Sequence, residues 1–560
     1  MKRYLSFLVF ILFCKLSVSQ SIFQPVSDKS LYEFIDELAN LQLIEINSAI
    51  KPYSRQFIFE KLMEADKMKN NLNKRQQNEL AFYLKEFSLE NQQLPVSYKT
   101  IYHQNDSLKI SLIAPEASWK SKDVRILFRP VYGIRFISNE KDKFYASYGG
   151  LEAQAYVGKN WSFYASLRDN YQNKYILAKP GFFTQEMGGN YKINEGGRKG
   201  GDFSEMRGGI TYTWNWGDIA LIKDHVQWGD NYNGSNIFSG RTPSFAMIKL
   251  HMKPAKWFDF NYYHGWLVSE VIDSTNSYIT SNGDFRAVYR NKYIAANMFT
   301  FTPWRNFNFS MGNSIVYSDM PVQAAYLIPF MFFKSIDHTI NHSIDNQNSQ
   351  MYFNISSRNI KHLHLYLSYF VDEFSVNRIT DSKRTNFTST KVGFRLSNFM
   401  FNNYSLTTEF TQTMPITYKH RVESTTFETN QFNLGHYLRD NSQEIYIAAE
   451  FKPYKTLKLK ISYLNAFHAN EYKYLEGNGM PKIDELPVLQ DKTWSNQTIE
   501  FRTDYRPWQN TSIFASYTKS NIKAYNADGK TAQYYLNLFT PEYLQGENNT
   551  FTLGFAYGFQ

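Results

Sequence analysis

The chain has 560 residues, of which 17% are aromatic and 20% charged, and its formal net charge is +10. Its mean hydropathy is −0.48, and beyond the N-terminus it has no run of about 20 apolar residues, which excludes a helical membrane protein. The basic residues are scattered, so they favour anionic lipid headgroups or acidic glycans as partners and argue against nucleic acid. Many aromatics without apolar 20-mers are typical of a transmembrane β-barrel.

Residues 1–19 predict a cleaved secretory signal peptide. Two basic residues precede a short apolar core at 4–13, and a small-x-small cleavage site ends directly before Gln20. The only cysteine, Cys14, lies in this segment, and Phe13 disfavours a lipoprotein anchor there because a small residue is needed before the cysteine. The mature protein would therefore have no disulfide and no thiolate metal site.

Residues 20–122 predict a periplasmic helical bundle and a connector. Three apolar stripes with helical spacing predict three helices of about 12 to 16 residues, with Ser27 or Asp28 capping the first and Ser54 starting the second. The stripes are Leu31, Phe34, Ile35 and Leu38; Phe57, Ile58, Leu62 and Ala65; and Leu80, Tyr83, Leu84 and Phe87. Such a bundle is either free or docked as a plug on the periplasmic mouth of a barrel, and its small size favours docking. The connector, 91–122, predicts one strand at 109–114.

From residue 123 to residue 560 the apolar residues alternate with period two, which predicts an all-β, antiparallel transmembrane barrel of about 18 strands. In the last strand, large apolar residues alternate with small ones: Phe551, Leu553, Phe555, Tyr557 and Phe559. The alternative for this segment alone is a soluble sandwich strand that is buried on one side. Two long segments, 179–207 and 468–494, predict extracellular loops because they exceed tight turns.

The search for catalytic motifs is negative. The chain contains no HExxH, GxSxG or P-loop pattern. His338 and His342 lie four residues apart, and His362 and His364 share one strand face, but a metal site needs three or four converging ligands. We therefore predict no catalytic residue, no metal and no cofactor. An outer-membrane hydrolase built from Ser, His and Asp stays open as an alternative, since spacing alone cannot single out a set.

The most distinctive stretch is 223–245, from which we predict four glycan-contacting residues near the barrel rim: Trp228, Asp230, Asn231 and Arg241. Aromatic faces pack on the C–H surfaces of sugars, while Asp, Asn and Arg bind hydroxyls, and Arg also pairs with uronate carboxylates. The structural alternative is an aromatic belt and turn between two strands, with Arg241 and Asp230 paired inside the lumen.

This stretch and several later ones resemble the capsule-assembly Wzi family of outer-membrane proteins. The similar runs are WGD at 228–230, SGRTPSF at 239–245, NYYHGWLVS at 261–269, YLIPFMFF at 326–333 and YFVDEF at 369–374. The resemblance spans nearly the whole mature chain, because the N-terminal helices also match that family's helical bundle. Size, signal and layout further resemble the gliding-motility variant of the family, RemB.

The resemblance implies an 18-stranded barrel in a Gram-negative outer membrane, with the helical bundle against its periplasmic mouth. It also implies a lectin-like, non-catalytic role that holds cell-surface polysaccharide, with outer-membrane lipid around the barrel. For the gliding variant it implies a part in surface motility and contact with motility or secretion proteins. The rival function is a diffusion channel or transporter, which a polar lumen favours and a helical plug opposes.

Overall fold

The computed structural model describes residues 20–93, 99–104, 107–193, 200–340, 346–381, 383–475 and 482–558. The predicted signal peptide with Cys14 lies outside these residues, as do His342 and Phe559. Within the described residues, no helix is both long enough and apolar enough to cross a membrane.

The N-terminal domain contains the three predicted helices, which are α1 (Lys29–Asn40), α2 (Arg55–Asp66) and α3 (Lys74–Glu86). Ser54 lies at the start of α2, as predicted, and it caps the helix because its hydroxyl accepts a hydrogen bond of 3.1 Å from the backbone N–H of Phe57. Asp28 occupies the N-cap position of α1, but the prediction that it caps the helix is wrong. Its carboxylate instead accepts a hydrogen bond from Gln24 and pairs with Arg506 of the barrel.

The apolar stripes of the three helices form one core. Phe34 of α1 stacks on Tyr83 of α3 with ring centroids 5.4 Å apart, and Leu38, Leu62 and Leu80 are fully buried around them. Each such side chain contributes about 1.5–3 kcal/mol by its removal from water, which stabilises the helical domain despite its small size.

The connector forms three strands, so the prediction of a single strand is wrong. They are β1 (Lys99–Gln104), β2 (Leu108–Ile113) and β3 (Glu116–Lys120). β3 pairs with the first residues of the first barrel strand, β4 (Val124–Ser138), with Ala117 opposite Phe128. The short polar segments between these strands gave too little alternation to separate them in the sequence.

The barrel is a closed antiparallel sheet of 18 strands, as predicted. After β4 the strands are β5 (Lys143–Val157), β6 (Trp161–Gln172), β7 (Gly201–Trp214), β8 (Gly217–Asp224), β9 (Phe245–Ala255), β10 (Phe258–Leu267), β11 (Lys292–Trp304), β12 (Phe307–Ser318), β13 (Gln347–Ser357), β14 (Leu363–Glu373), β15 (Phe387–Ser397), β16 (Tyr404–Thr413), β17 (Ser442–Tyr454), β18 (Leu457–Ala469), β19 (Lys492–Tyr505), β20 (Thr511–Ala524) and β21 (Gly546–Tyr557). The predicted C-terminal strand closes the barrel, since β21 pairs with β4 from Phe551 opposite Ser138 to Tyr557 opposite Tyr132.

The two ends of the barrel differ in their connections. One end has short turns and contacts the helical domain, whereas the other carries the long loops, so we call them the periplasmic and the extracellular end. The extracellular loops contain the short helices α4 (Phe333–Ile340), α5 (Asn377–Thr380) and α6 (Ala532–Phe539).

The loop that was predicted at 179–207 ends earlier than predicted, because β7 begins at Gly201 and pairs with β6 along its length. Gly208, one residue beyond the predicted loop, lies inside this strand. A Cβ at Gly208 would lie 2.5 Å from the backbone oxygen of Tyr164, so close strand approach requires glycine there.

The two faces of the strands follow the predicted alternation. On β14, Leu365 is exposed on the outer wall, whereas His364, Tyr366 and Ser368 face the interior and are buried. Trp161, Trp257 and Trp304 are exposed around the periplasmic end, where an aromatic girdle meets the membrane interface. On β10, however, Phe260 and Tyr262 are buried although they lie on the outward face. The loop between β12 and β13 covers them there, with Tyr326 and Phe333 in the same cluster.

A polar cavity in the barrel lumen

One side of the lumen is filled by a segment that folds into the barrel. This inward segment, residues 225–244 between β8 and β9, forms a small sheet in which Gln227–Trp228 pairs with Phe238–Ser239 and with Ile50–Lys51 of the helical domain. Gly229 has a φ of 94° and donates its N–H to the carbonyl of Ala49 at 2.8 Å. A glycine suits that conformation, and a Cβ would lie 2.8 Å from Ser235 Oγ.

Trp228 lies in the aromatic core of the inward segment, and only 2% of its surface is exposed. Its ring makes edge contacts with Phe238 at 5.3 Å, with Tyr263 at 5.2 Å and with Tyr352 at 6.0 Å between ring centroids. The side chain therefore holds the inward segment against the barrel wall and presents no open face to the lumen.

Asp230 and Asn231 are also buried, and both serve the turn of the inward segment. The carboxylate of Asp230 accepts a hydrogen bond of 2.7 Å from Asn354 and lies 3.7 Å from His364, and burial raises its pKa. The amide of Asn231 donates to the carbonyl of Gly229 at 2.7 Å, while its oxygen accepts from Gln227 at 2.9 Å. Asn231 also lines a polar cavity in the lumen.

Arg241 extends from the inward segment into the open part of the lumen. Its guanidinium donates to the carbonyl of Thr184 at 3.3 Å and lies over the ring of Tyr437 at 5.2 Å. The alternative pairing of Arg241 with Asp230 is absent from the described residues, where Arg241 forms no ion pair with any carboxylate. Burial lowers the pKa of Arg241 to about 10, although the nearby Tyr437 and Glu444 act to raise it.

The other side of the lumen holds a polar cavity of about 620 Å³. Its floor is the start of α1, one wall is the inward segment, and the other wall consists of inward-facing residues of β17 to β20. The wall residues include Tyr446, Lys458, Lys460, Ser462, Thr498, Glu500, Arg502 and Asp504. A cavity of this size holds a ligand of a few sugar rings, since small-molecule sites span about 300–1,000 Å³.

Most charges around the cavity are paired. Lys458 lies 2.8 Å from Glu33, Arg502 lies 2.8 Å from Asp504, and Lys460 is 3.5 Å from Glu500. Lys29 at the start of α1 differs, because within the described residues it forms no ion pair and its side chain is exposed to the cavity. Enclosure in the barrel, together with the positive charges of Lys460, Arg241 and Arg502, lowers the pKa of Lys29 to about 8, although Glu33 acts to raise it. The cavity therefore has an excess of positive charge around Lys29 and Arg241.

An apolar layer covers the cavity on its extracellular side. This extracellular layer is formed by buried residues of strands and loops: Phe183, Leu438, Ala466, Trp494, Ile522, Tyr535 and Phe539. Phe183 stacks on Phe539 with centroids 4.3 Å apart, and the indole N–H of Trp494 donates to Thr540 at 2.7 Å. The cavity thus lies between this layer and the helical domain.

The histidines are dispersed through the described structure. His338 is exposed on α4, while the buried ring of His364 contacts the hydroxyl groups of Tyr232 and Ser356. Among the residues that the structure describes, no three His, Cys, Asp or Glu side chains are grouped to hold a metal ion.

Of the four predicted site residues, Asn231 and Arg241 line the cavity, whereas Trp228 and Asp230 support the segment that carries them. Lys29 was missed because it reads as an ordinary first-turn residue of an amphipathic helix. The only sequence signal for it was the expectation that the bundle plugs a polar lumen, which would place the start of α1 near the lysines of β18.

Comparison with solved structures supports the fold. The chain is similar to Wzi from Escherichia coli, an outer-membrane protein involved in group 1 capsule assembly and described as a carbohydrate-binding β-barrel, with a TM-score of 0.54, 10% identity, and coverage of 97% of this chain and 100% of Wzi. Weaker likenesses link it to OccAB2 of Acinetobacter baumannii (TM-score 0.42, 11% identity, 78% of this chain and 97% of that one) and to OpdK of Pseudomonas aeruginosa with vanillate (TM-score 0.43, 7% identity, 78% and 98%). These two TM-scores are too low to bear on the assignment. No protein-family model and no curated protein matches the chain in sequence.

The architecture is therefore that of an outer-membrane β-barrel. More narrowly, the closed 18-stranded barrel with N-terminal helices has the Wzi-like fold, which confirms the resemblance noted in the sequence at the level of the fold.

Proposed function

We propose that this protein binds a cell-surface polysaccharide in its lumen without catalysis and so retains the polymer at the outer membrane. The observation that carries the proposal is the polar cavity with unpaired cations at Lys29 and Arg241. The carbohydrate-binding description of Wzi, whose fold this chain shares, supports it.

The chemistry of the cavity favours an acidic sugar. Lys29 and Arg241 offer charge-assisted hydrogen bonds to a carboxylate, and such bonds are the stronger ones when they are shielded from water. Tyr232 and Tyr446 add aromatic surface for C–H contacts, while Asn231 and Ser462 add groups for hydroxyls. Since the extracellular layer lies over the cavity, a polymer that enters from outside would have to pass Phe183 and Phe539.

The finer role follows from what the bound polymer is used for. A polymer held here serves either capsule attachment or, as in the gliding-motility variant of the Wzi family, adhesion during surface movement with partners in the motility or secretion machinery. A deletion strain scored for surface glycan and for spreading on agar separates these roles. Loss of glycan alone supports attachment, and loss of spreading alone supports motility.

Binding is tested with purified protein in detergent and two probes, an oligogalacturonate as acidic glycan and a dextran oligomer as neutral one. The proposal expects measurable affinity for the first that falls in Arg241→Gln and Lys29→Gln. Two charge-matched controls, Arg286→Gln on an exposed extracellular hairpin and Lys67→Gln at the end of α2, should bind like the native protein. Equal affinity of all five proteins would refute the assignment of this site.

A diffusion channel is the competing function, because the lumen wall is polar along β17 to β20. Against it, the start of α1 forms the floor of the cavity, and the extracellular layer lies over its other side. The native protein should therefore be nearly silent in planar bilayers, and steady conductance with a solute preference would favour a channel.

A further inference from the structure

The loop between β12 and β13 packs against the outside of the barrel instead of lying over its mouth. Residues 324–336 of this loop, which we call the external strap, comprise the 3-10 turn Ala324–Leu327 and the start of α4. Tyr326 and Phe333 of the strap are fully buried, and they share a cluster with Phe260 of β10.

The strand register shows that this cluster is on the outer wall. Ile315 and Tyr317 of β12 belong to the strap cluster, whereas Val316 between them belongs to the lumen cluster that contains Trp228. Successive side chains of a strand point to opposite faces, so the strap covers the face that the neighbouring strands expose to the membrane. The hydroxyl of Tyr262 also donates to the carbonyl of Tyr326 at 2.8 Å from that same face.

The strap satisfies two asparagines that lie on this outer wall. Asn297 and Asn313 are opposite each other on β11 and β12, and Asn313 donates to the side-chain oxygen of Asn297 at 2.7 Å. Asn297 donates to the carbonyls of Pro329 and Met331 at 3.0 and 2.9 Å, and Asn313 accepts from the N–H of Phe333 at 3.0 Å. Without the strap, the two side-chain N–H groups of Asn297 would face hydrocarbon without acceptors, which costs several kcal/mol per group.

Position along the strand places the pair at membrane depth. Asn297 precedes Trp304 of the periplasmic girdle by seven residues on β11. With a rise of about 3.3 Å per residue and a strand tilt of about 40°, it lies roughly 18 Å above the girdle, inside an apolar band about 25 Å tall. The strap therefore contacts the wall in the part of the band that corresponds to the outer leaflet.

The outer surface of the strap is apolar over six consecutive residues. Exposed fractions are 40% for Leu327, 44% for Ile328, 53% for Phe330, 40% for Met331 and 45% for Phe332. Phe330 stacks on Phe260 at 4.5 Å, which fixes the strap against the wall. A surface of this kind in water would be a hazard, whereas at this depth it continues the lipid-facing wall.

We propose that the external strap is embedded in the outer leaflet, and that Leu327, Ile328, Phe330, Met331 and Phe332 form a contact surface for the acyl chains of outer-leaflet lipid. The strap shields the polar groups of its own backbone and of the asparagine pair from hydrocarbon. Its apolar side chains then form the lipid-facing surface in place of the wall that it covers. This inference is independent of the glycan proposal, because the strap and the cavity lie on opposite sides of the barrel wall.

Spin labels on single cysteines in proteoliposomes test the proposal, in a Cys14→Ser background. Met331→Cys and Phe332→Cys probe the strap, Leu365→Cys marks the lipid-facing wall, and Ile279→Cys marks an exposed extracellular hairpin. Collisions with oxygen report hydrocarbon, and collisions with a water-soluble nickel chelate report solvent. Because all four positions are exposed, the labels should not disturb folding, which the gel mobility of unheated protein verifies.

The proposal expects both strap labels to match Leu365→Cys, with high oxygen and low nickel accessibility, and to be quenched by lipids that carry a nitroxide on the acyl chain. Strap labels that match Ile279→Cys would overturn it, since the strap would then lie in water. Labels shielded from both reagents would also overturn it, because a second copy or another protein would then cover the surface.

Discussion

Arg358 and Asp36 form a buried ion pair between the barrel and the helical domain. Nη2 of Arg358, in the turn after β13, lies 3.1 Å from Oδ1 of Asp36 on α1, and both side chains are almost fully buried. The same guanidinium donates to Asn40 and to Ser48, each at 2.9 Å. One barrel residue thus holds three points of the N-terminal domain in place.

Arg358→Met should loosen the helical domain. The change leaves Asp36 buried without its partner, and breaking a buried pair costs about 3–5 kcal/mol. We expect trypsin to cleave α1 to α3 much faster in detergent, as measured by mass spectrometry of the fragments. Asp36→Leu combined with Arg358→Met should restore much of the resistance, because no charge then stays unpaired.

Arg305→Met is the matched control for that experiment. Arg305 also links a periplasmic turn to the helical domain, with its Nε 2.8 Å from Glu45, but both side chains are exposed. Exposed pairs contribute about 0–1 kcal/mol, so proteolysis should hardly change. If Arg305→Met and Arg358→Met were cleaved at the same rate, burial would not be what makes the Arg358 pair important.

Substitution of Arg241 should weaken glycan binding, whereas substitution of Trp228 should lower the stability of the fold. Arg241→Gln removes a charge-assisted hydrogen bond worth about 1.5–3 kcal/mol, so affinity for an oligogalacturonate should fall by about 10- to 100-fold while thermal stability changes little. Trp228→Ala removes a ring from an aromatic core and should cost about 3–5 kcal/mol of stability. Calorimetric titration and thermal unfolding, measured on both variants, check the two expectations. If Trp228→Ala lost glycan affinity and Arg241→Gln lost stability instead, Trp228 would be the residue that contacts the glycan.

The approximate number of strands and the two faces of the barrel could be predicted because period-two alternation is a local signal. Leu365 and Ser368 occupy the faces that their spacing indicates. The inward position of Trp228 could not be predicted, since a loop rich in glycine and asparagine has the same composition whether it extends into solvent or folds into a lumen. Its burial depends on Tyr263 and Tyr352, which lie far away in the sequence and contact it only in the closed barrel.

The external strap was missed for a related reason. The run from Leu327 to Phe333 is apolar, but it is too short for a helical span and lacks the alternation of a strand. Only the strand register shows that Asn297 and Asn313 face outward and need its carbonyls.

Removal of the helical domain alone should open the barrel only in part. Deleting residues 28–90 removes the floor of the cavity, but Phe183 and Phe539 of the extracellular layer stay stacked above it. We expect conductance in planar bilayers to stay low in the deletion and to rise when Phe183→Ala and Phe539→Ala are added. Full conductance of the deletion by itself would show that the extracellular layer does not seal the lumen.

The pH dependence of glycan affinity should follow the protonation of Lys29. Its pKa is lowered to about 8 by its enclosure and by Lys460, Arg241 and Arg502, whereas the nearby Glu33 raises it. The ammonium is therefore charged below about pH 8, so affinity for an oligogalacturonate should be constant from pH 6 to 7. Above about pH 8, Lys29 of the free protein is mostly neutral and must take up a proton when the anion binds. Affinity should therefore fall by up to about tenfold per pH unit.

The matched variants make this test specific. Lys29→Gln should bind more weakly at pH 7 and lose the fall above pH 8, while Lys67→Gln should keep the native profile. The same shift predicts that the free protein gains stability as pH rises from about 8 towards 10.5, because in that window the unfolded chain binds more protons than the folded one. A native protein whose glycan affinity and unfolding temperature were both flat between pH 7 and 10 would exclude Lys29 from the site.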